Sequence, residues 1–292
     1  MTIQLPANFN FTSTINSHGW FDLPPFRTNE TKSELFTVIS LSKTKHVYLK
    51  IRSNISHLTV TCENGIRLTT TEKERIKNSV RSMLRMDEPL DEFYALCKKE
   101  PHLRWVPKRA AGRMLRSPTL FEDVVKMLFT TNCSWALTKI QTTRLTEKLG
   151  SEADDGIHSF PAPETISRRS DAWLRKELSC GYRAPYLLKL CKELAQQKIE
   201  IESMRHSDLP TEDLYWKLRS IKGIGHYAAG NLLKLLGRYD YLGVDSWVRT
   251  RFSEIHKRGR KVSDAAIEKH YDRYGKWRGL VCLMEVTSDW HG

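Results

Sequence analysis

The stretch RSIKGIGHYAAGNLLKLLGRYDYLGVDSWVRTRF, residues Arg219–Phe252, decides the fold that the sequence predicts. It places Gly223 and Gly225 around one isoleucine, and an apolar helical pattern follows from His226 to about Leu236. Glycine adopts backbone conformations that a Cβ would obstruct, so the two glycines predict a short hairpin between two helices. About twenty residues after the hairpin, a single carboxylate stands between a valine and a serine.

The hairpin predicts a site for an anion. The first amides of a helix have no partner within the helix and carry partial positive charge, so they favour a phosphate group. Lys222 and His226 flank the turn and can add charge or a hydrogen bond. The alternative is a tight turn between two packed helices with no ligand, and the hairpin sequence by itself does not distinguish the two. The basic composition of the chain and the carboxylate, Asp245, favour the phosphate interpretation.

The charge balance indicates a polyanionic partner. The 292 residues include 47 Lys and Arg against 34 Asp and Glu, a net charge of +13. Such an excess indicates nucleic acid first and an acidic membrane second, with a solvated basic surface as the alternative. The sequence contains no run of about 18 apolar residues, so it predicts no membrane span. The N-terminal residues MTIQLPANFNFTSTINSHGWFDLPPF also lack the pattern of a secretory signal, so we expect an intracellular protein.

The cysteines are scattered and form no CxxC pair, so the sequence predicts neither a zinc site nor an iron–sulfur site. We expect reduced core thiols. The six cysteines are Cys62, Cys97, Cys133, Cys180, Cys191 and Cys282.

Two kinds of periodicity predict an α+β fold. In HLTVTCENGIRLTTT, Leu58, Val60 and Cys62 share one face, and an Asn64-Gly65 turn predicts a hairpin with a second strand beyond it. From about residue 101 the pattern is helical. We therefore expect an N-terminal antiparallel sheet plus helix over residues 1–105. An all-helical core over 106–292 should contain the helix-hairpin-helix at about 211–236.

The helical part gives several predicted elements. One helix begins at Ser117 with Pro118 in its first turn, and GSEADDGIHSFPAP predicts a surface loop. The other predicted helices cover Asp171–Leu178, Ala184–Gln197, Thr211–Leu218, His226–Leu236, Val244–Ile255, Ser263–Tyr274 and Trp277–Thr287.

The segment IKGIGHYAAGNLLKLLGRYDYLGVDSW resembles the helix-hairpin-helix DNA glycosylases, in which an L-P-G-(I/V)-G hairpin precedes a catalytic aspartate. Lys222 stands where that family often has proline. Three further segments extend the resemblance from about Arg109 to the C-terminus. RMLRSPTLFEDVVKMLFTTNCSW and LSCGYRAPYLLKLCKEL are similar to segments of the 8-oxoguanine glycosylases, and GKWRGLVCLMEVTSDW is similar to a helix of the bacterial alkyladenine glycosylases.

The resemblance implies that a nucleotide is flipped out of the duplex, since a stacked base is inaccessible to an enzyme. Asn132, Tyr182 and Arg183 match the family positions that fill the gap and contact the unpaired base. Tyrosine offers a stacking face and arginine a fork of donors. The alternatives are a helix cap for Asn132, a core position for Tyr182 and a phosphate contact for Arg183.

The resemblance makes Asp245 the candidate catalytic carboxylate. Positive charge develops on the sugar as the base departs, and a nearby carboxylate stabilises it and can orient or deprotonate the nucleophile. Asp245 also precedes the helical pattern of SWVRTRF, so an N-cap role is the alternative, and one side chain can fill both roles.

The nucleophile is predicted from one position. Relatives with lyase activity carry a Schiff-base lysine two residues after the second hairpin glycine, where this chain has Tyr227. Lys222 is expected to meet phosphate, and Lys234 lies two turns further on, which we interpret as too far. Water is therefore the expected nucleophile, and the enzyme is expected to be monofunctional.

Four side chains are candidates for the base pocket, with a core position as the alternative for each: Tyr227, Trp247, Trp277 and Met284. Only Cys282 lies beyond Asp245, which excludes the family branch with an iron–sulfur cluster. We expect no cofactor and no metal in catalysis. The resemblance also implies one Na⁺ or K⁺ ion on the hairpin carbonyls.

The expected function is a monofunctional DNA glycosylase that starts base excision repair on double-stranded DNA with a damaged base. An oxidised and an alkylated purine are both open as substrates. The alternatives are a non-catalytic DNA-binding protein and a bifunctional glycosylase/lyase that uses another lysine. We expect a monomer without membrane contact, in the cytoplasm or nucleoid of a bacterium or in the nucleus of a eukaryote.

Overall fold

An antiparallel sheet forms the N-terminal part of the protein in a computed structural model that describes residues 1–291. Its strands are β1 (Thr2–Gln4), β2 (Arg27–Thr28), β3 (Glu34–Ser40), β4 (His46–Ser53) and β5 (His57–Cys62). They are arranged in the order β1-β5-β4-β3-β2. Alternate side chains of β4 and β5, among them Leu49, Ile51 and Val60, are buried and share a core cluster with Ile76 and Val80. The predicted antiparallel sheet is confirmed.

The segment after β5 differs from the predicted hairpin. The Asn64-Gly65 turn is present, and Gly65 has a φ of +65°. The chain then enters a helix, Thr70–Met83, and forms no second strand. Thr69 and Glu72 make a capping box in which each side chain bonds the backbone amide of the other residue. This helix start leaves too few residues after the turn for strand pairing, so the local capping signal overrides the turn signal.

Helices make up most of the remaining chain. The α-helices are α1 (Phe11–Ile15), α2 (Thr70–Met83), α3 (Asp91–Lys99), α4 (Trp105–Lys108), α5 (Leu120–Thr130), α6 (Trp135–Leu149), α7 (Pro163–Ser167), α8 (Asp171–Leu178), α9 (Ala184–Ala195), α10 (Thr211–Ser220), α11 (His226–Leu235), α12 (Ser246–Lys257), α13 (Asp264–Tyr271) and α14 (Arg278–Val286). Short 3-10 helices cover Gly19–Asp22, Pro101–Leu103, Gly181–Arg183, Glu202–His206, Asp272–Trp277 and Ser288–His291.

Most predicted helices are present, with small shifts at their ends. The helix predicted from Ser117 begins at Leu120, because the Thr119 side chain caps it and accepts a hydrogen bond from the Glu122 amide at 3.3 Å. The predicted surface loop contains a small antiparallel pair, β6 (Glu152–Asp154) and β7 (Ile157–His158).

The core does not divide at residue 105, where the sequence predicts a domain boundary. One cluster of buried side chains runs from Ile3 in β1 to Leu236 after α11. A second cluster joins buried side chains from Leu90 to Val106 with those of the C-terminal helices, beginning at Tyr239. The segment that holds α3 therefore packs with the end of the chain, although it precedes the predicted boundary. Through these two clusters, the predicted N-terminal region shares its core with the helices that form the site.

None of the helices within residues 1–291 is long and apolar enough to cross a membrane.

Candidate active site and nucleic-acid interface

The hairpin between α10 and α11 has the predicted geometry, but its two glycines have different roles. Gly223 has a φ of +95°, and a Cβ there would lie 2.7 Å from Tyr186 Cδ2. Gly225 has an ordinary φ of −82°, and the nearest atom to an added Cβ would be Arg219 Nη1 at 3.7 Å. The expectation that both glycines avoid an obstruction is right for Gly223 and wrong for Gly225. At Gly225 the missing side chain leaves the end of α11 open.

The N-terminus of α11 can receive an anion. Gly225 is the N-cap, and no side chain bonds the first-turn amides. His226 and Lys222 are exposed beside it. His226 Nδ1 is 2.8 Å from the Tyr215 hydroxyl, which fixes the imidazole ring, and Lys222 Nζ lies 5.7 Å from the centroid of the Tyr186 ring. Uncapped amides and two flanking basic side chains are the features that bind a phosphate at a helix N-terminus.

A cavity of about 740 Å³ lies beside this hairpin and contains the predicted catalytic residue. Its wall includes side chains from the N-terminal segment, α5, α11, α12 and α14. Representative lining residues are Trp20, Met127, Tyr227, Lys234, Asp245 and Cys282. The volume falls in the range of pockets that enclose a small organic group.

Asp245 is the N-cap of α12. Its Oδ1 accepts a hydrogen bond from the Val248 amide at 2.7 Å, so the N-cap interpretation from the sequence is confirmed. The side chain is half-buried and lines the cavity. The carboxylate lies at the positive end of the α12 dipole. A negative charge is therefore held at a fixed point on the cavity wall.

Two predicted pocket residues, Tyr227 and Trp247, line the cavity. Burial first, and then the Asp245 carboxylate, raise the pKa of Tyr227 to about 12, so its phenol is neutral beside the acid. Trp247 packs against Trp290 with ring centroids 5.1 Å apart. The cavity therefore presents two aromatic side chains next to one carboxylate.

Trp277 and Met284 do not line the cavity, and the prediction for these two residues was wrong. The Trp277 ring packs against Phe93 and Tyr239, with centroids 5.4 and 5.6 Å away. Met284 is fully buried in the second core cluster. The reason is helical geometry, since α14 turns Cys282 towards the cavity and a residue two positions later points to the other side.

Lys234 lines the same cavity, although the sequence interpretation placed it too far away. Its side chain is buried and donates hydrogen bonds to the Leu242 carbonyl and, at 3.2 Å, to Asn231 Oδ1. Burial lowers the pKa of Lys234 to about 8, while Cys282 and Asp245 act in the opposite direction. Residues seven apart share a helix face, so the spacing from Tyr227 to Lys234 was the signal for this position.

A second group of predicted residues meets at the corner between α5 and α6. Asn132 is exposed with a φ of +45°, and its Nδ2 donates to the Tyr182 hydroxyl at 3.4 Å across 50 positions of sequence. The Tyr182 side chain is 45% exposed. The cap alternative for Asn132 does not hold, because Ser134 caps α6 through the Leu137 amide.

Arg183 is buried at this corner and bonds its backbone. It is 4% exposed, and its guanidinium lies 4.5 Å from the centroid of the Tyr182 ring. The guanidinium donates to the Thr131 carbonyl, and its Nε donates to Thr131 Oγ1 at 3.3 Å. Arg183 therefore holds the backbone next to Asn132 and places Tyr182 at the surface.

The N-terminal segment also reaches the cavity, which the sequence did not predict. His18, Gly19, Trp20 and Phe21 all lie on the cavity wall. Trp20 Nε1 donates to the buried Asp123 Oδ1 at 2.8 Å, which fixes this segment to α5. No local pattern in these residues pointed to a site.

The six cysteines are free in the described residues, and four of them have the predicted core position, whereas Cys62 and Cys133 are half-buried. Their reduced state stays a prediction. The expected Na⁺ or K⁺ ion on the hairpin carbonyls stays a prediction. One of those carbonyls, that of Ile224, accepts a hydrogen bond from Arg219 Nη1 at 3.4 Å.

No protein-family model and no curated protein matches the sequence. Solved structures do match along the whole chain. A 3-methyladenine DNA glycosylase from Archaeoglobus fulgidus has 19% identity and a TM-score of 0.78, with 100% of this chain and 99% of that chain covered. MBOgg1 in complex with a low-affinity DNA ligand has 17% identity and a TM-score of 0.77, with 100% and 96% covered.

An 8-oxoguanine glycosylase/lyase from Clostridium acetobutylicum, in complex with DNA containing cytosine opposite 8-oxoguanine, has 16% identity and a TM-score of 0.76. This match covers 100% of this chain and 99% of that chain. The chain therefore has the α+β fold of these DNA glycosylases, and the predicted resemblance is confirmed at the level of the fold.

Proposed function

We propose that this protein, which has the fold of solved DNA glycosylases, is a DNA N-glycosylase that removes a damaged purine from double-stranded DNA. The observation that carries the proposal is the position of Asp245, a helix-capping carboxylate on the wall of a cavity beside an uncapped helix N-terminus. Binding DNA alone would need no acid facing an anionic strand. An acid at that position supports chemistry on a sugar that becomes cationic.

DNA binding is supported by the hairpin and by the charge of the chain. A phosphate at the α11 N-terminus would meet free amides, with Lys222 and His226 at its sides. The net charge of +13 supplies a general attraction to the duplex. Contacts of this kind position the protein without reading sequence.

Nucleotide extrusion is supported by the corner formed by Asn132, Tyr182 and Arg183. The exposed Tyr182 ring offers a stacking face, and Asn132 offers both a donor and an acceptor beside it. Arg183 is committed to Thr131, so we propose that it acts first by holding Tyr182 and Asn132 in place. These contacts would act on the strand from which the base is not removed.

The cavity supports a neutral rather than a cationic lesion. Tyr227 and Trp247 can stack on a flipped purine. Lys234 is buried in the same wall, and at neutral pH most of it is protonated because its pKa is about 8. An ammonium ion in a cavity disfavours a positively charged alkylated base and can donate a hydrogen bond to a carbonyl of an oxidised base. We therefore place an oxidised purine ahead of an alkylated one.

Water is the proposed nucleophile. Asp245 would stabilise the positive charge on the sugar and orient the attacking water, while the neutral Tyr227 phenol shapes the pocket beside it. Tyr227 has no amine with which to form a Schiff base. The products would be a free base and an intact abasic strand.

A second candidate, glycosylase with lyase activity, is favoured by one observation. Lys234 is an amine in the cavity, and its pKa of about 8 leaves roughly a tenth of it neutral at pH 7. Its attack on the sugar C1′ would expel the base and give a Schiff base after ring opening. We place this candidate second because Nζ is held by the Leu242 carbonyl and Asn231.

One experiment separates the candidates. Duplexes that each carry one modified base are assayed for release of free base and, separately, for strand scission and for covalent trapping with borohydride. Release without scission or trapping supports the water mechanism. Trapping that Lys234→Met abolishes would establish the lyase. If no duplex in a broad panel of oxidised and alkylated bases loses its base, a non-catalytic DNA-binding protein is the better description.

A further inference from the structure

A cluster of histidine and glutamate side chains lies at the far end of α12 from Asp245. His256 in α12, His270 in α13 and Glu285 in α14 each place one ligand atom within 4.8 Å of the others. His256 lies eleven positions after Asp245, a distance of about 16 Å along the helix axis. None of the three side chains lines the cavity, so the cluster is separate from the proposed active site.

Glu285 is the centre of the cluster. Its side chain is only 7% exposed, and its Oε2 lies 2.9 Å from His256 Nε2 and accepts a hydrogen bond from the Tyr271 hydroxyl. Its other oxygen, Oε1, lies 3.2 Å from His102 Nε2. Contacts to both oxygens fix the carboxylate in one orientation. A buried carboxylate of this kind needs positive partners to offset its desolvation.

His270 distinguishes a metal site from a simple hydrogen-bond network. Among the hydrogen bonds and ion pairs of residues 1–291, none engages a ring nitrogen of His270. Yet the His270 ring lies 4.3 Å from the His256 ring and 5.1 Å from Phe252, measured between centroids. A network centred on Glu285 accounts for His256 and Tyr271. It does not account for a second imidazole with a nitrogen within 4.8 Å of the other two ligand atoms.

We propose that His256, His270 and Glu285 form a structural site for a divalent transition metal, with Zn²⁺ as the best fit. Two imidazole nitrogens and one carboxylate oxygen are a ligand set that zinc accepts. Tetrahedral bonds of about 2.1 Å place ligand atoms about 3.4 Å apart. The spacing in the cluster runs from 2.9 Å to at most 4.8 Å and brackets that value, so small side-chain rotations suffice. A water molecule would take the fourth position.

Two neighbouring residues complete the arrangement. His102, on the second carboxylate oxygen, and Tyr271, on the first, orient Glu285 as partners of metal ligands commonly do. The three ligands come from three successive helices, so the metal would link α12 to α13 and α14. Because the unfolded chain cannot present this set, binding free energy adds to the stability of the fold.

No sequence motif indicated this site, since its ligands are spread over 30 positions and include no cysteine pair. The expectation of no metal was based on cysteine spacing alone. The proposal does not depend on the enzymatic function, because its test measures metal binding and stability.

The test uses full-length protein without a histidine tag, stripped with a chelator and returned to metal-free buffer. Isothermal titration with Zn²⁺ should give one equivalent bound, and Zn²⁺ should raise the melting temperature. Mg²⁺ should do neither, because imidazole suits zinc and its neighbours in the transition series. Parallel titrations with Ni²⁺ and Fe²⁺ rank the metals.

The variant His270→Ala removes a ligand but none of the Glu285 hydrogen bonds, and it should weaken Zn²⁺ binding at least about tenfold. The exposed His206→Ala is the matched control and should bind as the wild type does. Should His270→Ala fail to fold, protection of wild-type His256 and His270 from diethyl pyrocarbonate by Zn²⁺, with His206 unprotected, decides instead. Absence of stoichiometric binding, or undiminished binding by a folded His270→Ala, overturns the proposal.

Discussion

The Asp245 carboxylate lies 2.7 Å from the Val248 amide, so the acid on the cavity wall also caps the helix that follows it. This contact removes rotational freedom from the side chain and places it at the positive end of α12. A group that carries charge at a fixed point needs no reorganisation when charge develops opposite to it. The cap is therefore part of the proposed mechanism as well as of the fold.

Asp245→Asn should separate these two roles. An asparagine oxygen can still accept from the Val248 amide, so the melting temperature should change little. Excision should fall about 10²–10³-fold, or about 3–4 kcal/mol, because the charge is lost. Binding of lesion DNA should be retained. Single-turnover base release measured beside DNA affinity checks this, and near-normal excision by the variant would remove Asp245 from the mechanism.

Lys234 should make stability depend on alkaline pH. Its pKa is lowered from 10.5 to about 8 in the folded protein, so between these values the unfolded chain binds more protons than the folded one. The free energy of unfolding should therefore gain a contribution from this residue as pH rises from about 8 to 10.5. Urea unfolding of the wild type and of Lys234→Met across this range measures the contribution. Parallel curves for the two proteins would mean that the burial does not perturb the amine.

Tyr182 and Arg183 should differ in their effects on lesion recognition. Tyr182→Ala should weaken lesion binding by about 1–3 kcal/mol, the usual size of base–aromatic stacking. Arg183→Ala should loosen the contact to Thr131 and change the preference among bases opposite the lesion. Excision rates against all four opposite bases check this. Equal slowing opposite every base would mean that Arg183 holds the corner without any effect on the choice of opposite base.

The two hairpin glycines form a matched pair. Gly223→Ala forces a side chain into a φ of +95° and against Tyr186, and it should cost at least about 1–2 kcal/mol of stability. Gly225→Ala meets only Arg219 Nη1, at an ordinary contact distance of 3.7 Å, and should cost less stability than Gly223→Ala, at most about 1 kcal/mol for an alanine at an N-cap. It should still reduce affinity for DNA, because its methyl group stands at the phosphate approach. Unchanged affinity for Gly225→Ala would place the phosphate elsewhere.

Affinity for undamaged duplex should fall steeply with salt. The logarithm of the binding constant should decline by roughly 0.9 per phosphate neutralised for each tenfold rise in salt concentration. Fluorescence anisotropy between about 50 and 200 mM salt measures the slope. A Lys222→Ala variant should lower the slope by about one phosphate, with Lys43→Ala, exposed in the turn between β3 and β4, as its control. An affinity that is flat in salt would argue strongly against a DNA partner.

Local patterns predicted the helices well because their end signals are local. The helix at Asp171–Leu178 matches its predicted bounds, and Ser170 caps it. The turn at Asn64-Gly65 was also recognised, but the strand expected after it depends on pairing that the Thr69 cap prevents. Capping chemistry involves neighbours three residues apart, whereas strand pairing depends on the rest of the sheet.

The sequence predicted the site residues whose position follows from a motif. It missed those whose position depends on burial and on the shape of the cavity. Asp245 and Tyr227 follow from their spacing to the hairpin, and both line the cavity. Trp277 and Met284 were predicted from their residue type, but both side chains pack in the second core cluster instead of lining the cavity. Lys234 was judged by distance along the helix, but the cavity extends along that helix. Neither packing nor cavity shape can be read from a single sequence.

The hydrogen bond from Trp20 to Asp123 ties one wall of the cavity to distant parts of the chain. Asp123 also accepts hydrogen bonds from the Ser117 amide and from Arg205, at 2.8 and 2.9 Å, so one buried carboxylate joins three distant parts of the chain. The N-terminal segment completes one wall of the cavity, whereas the hairpin lies outside it. Under the proposed function, changes that loosen this segment should therefore impair base excision more than binding to undamaged DNA.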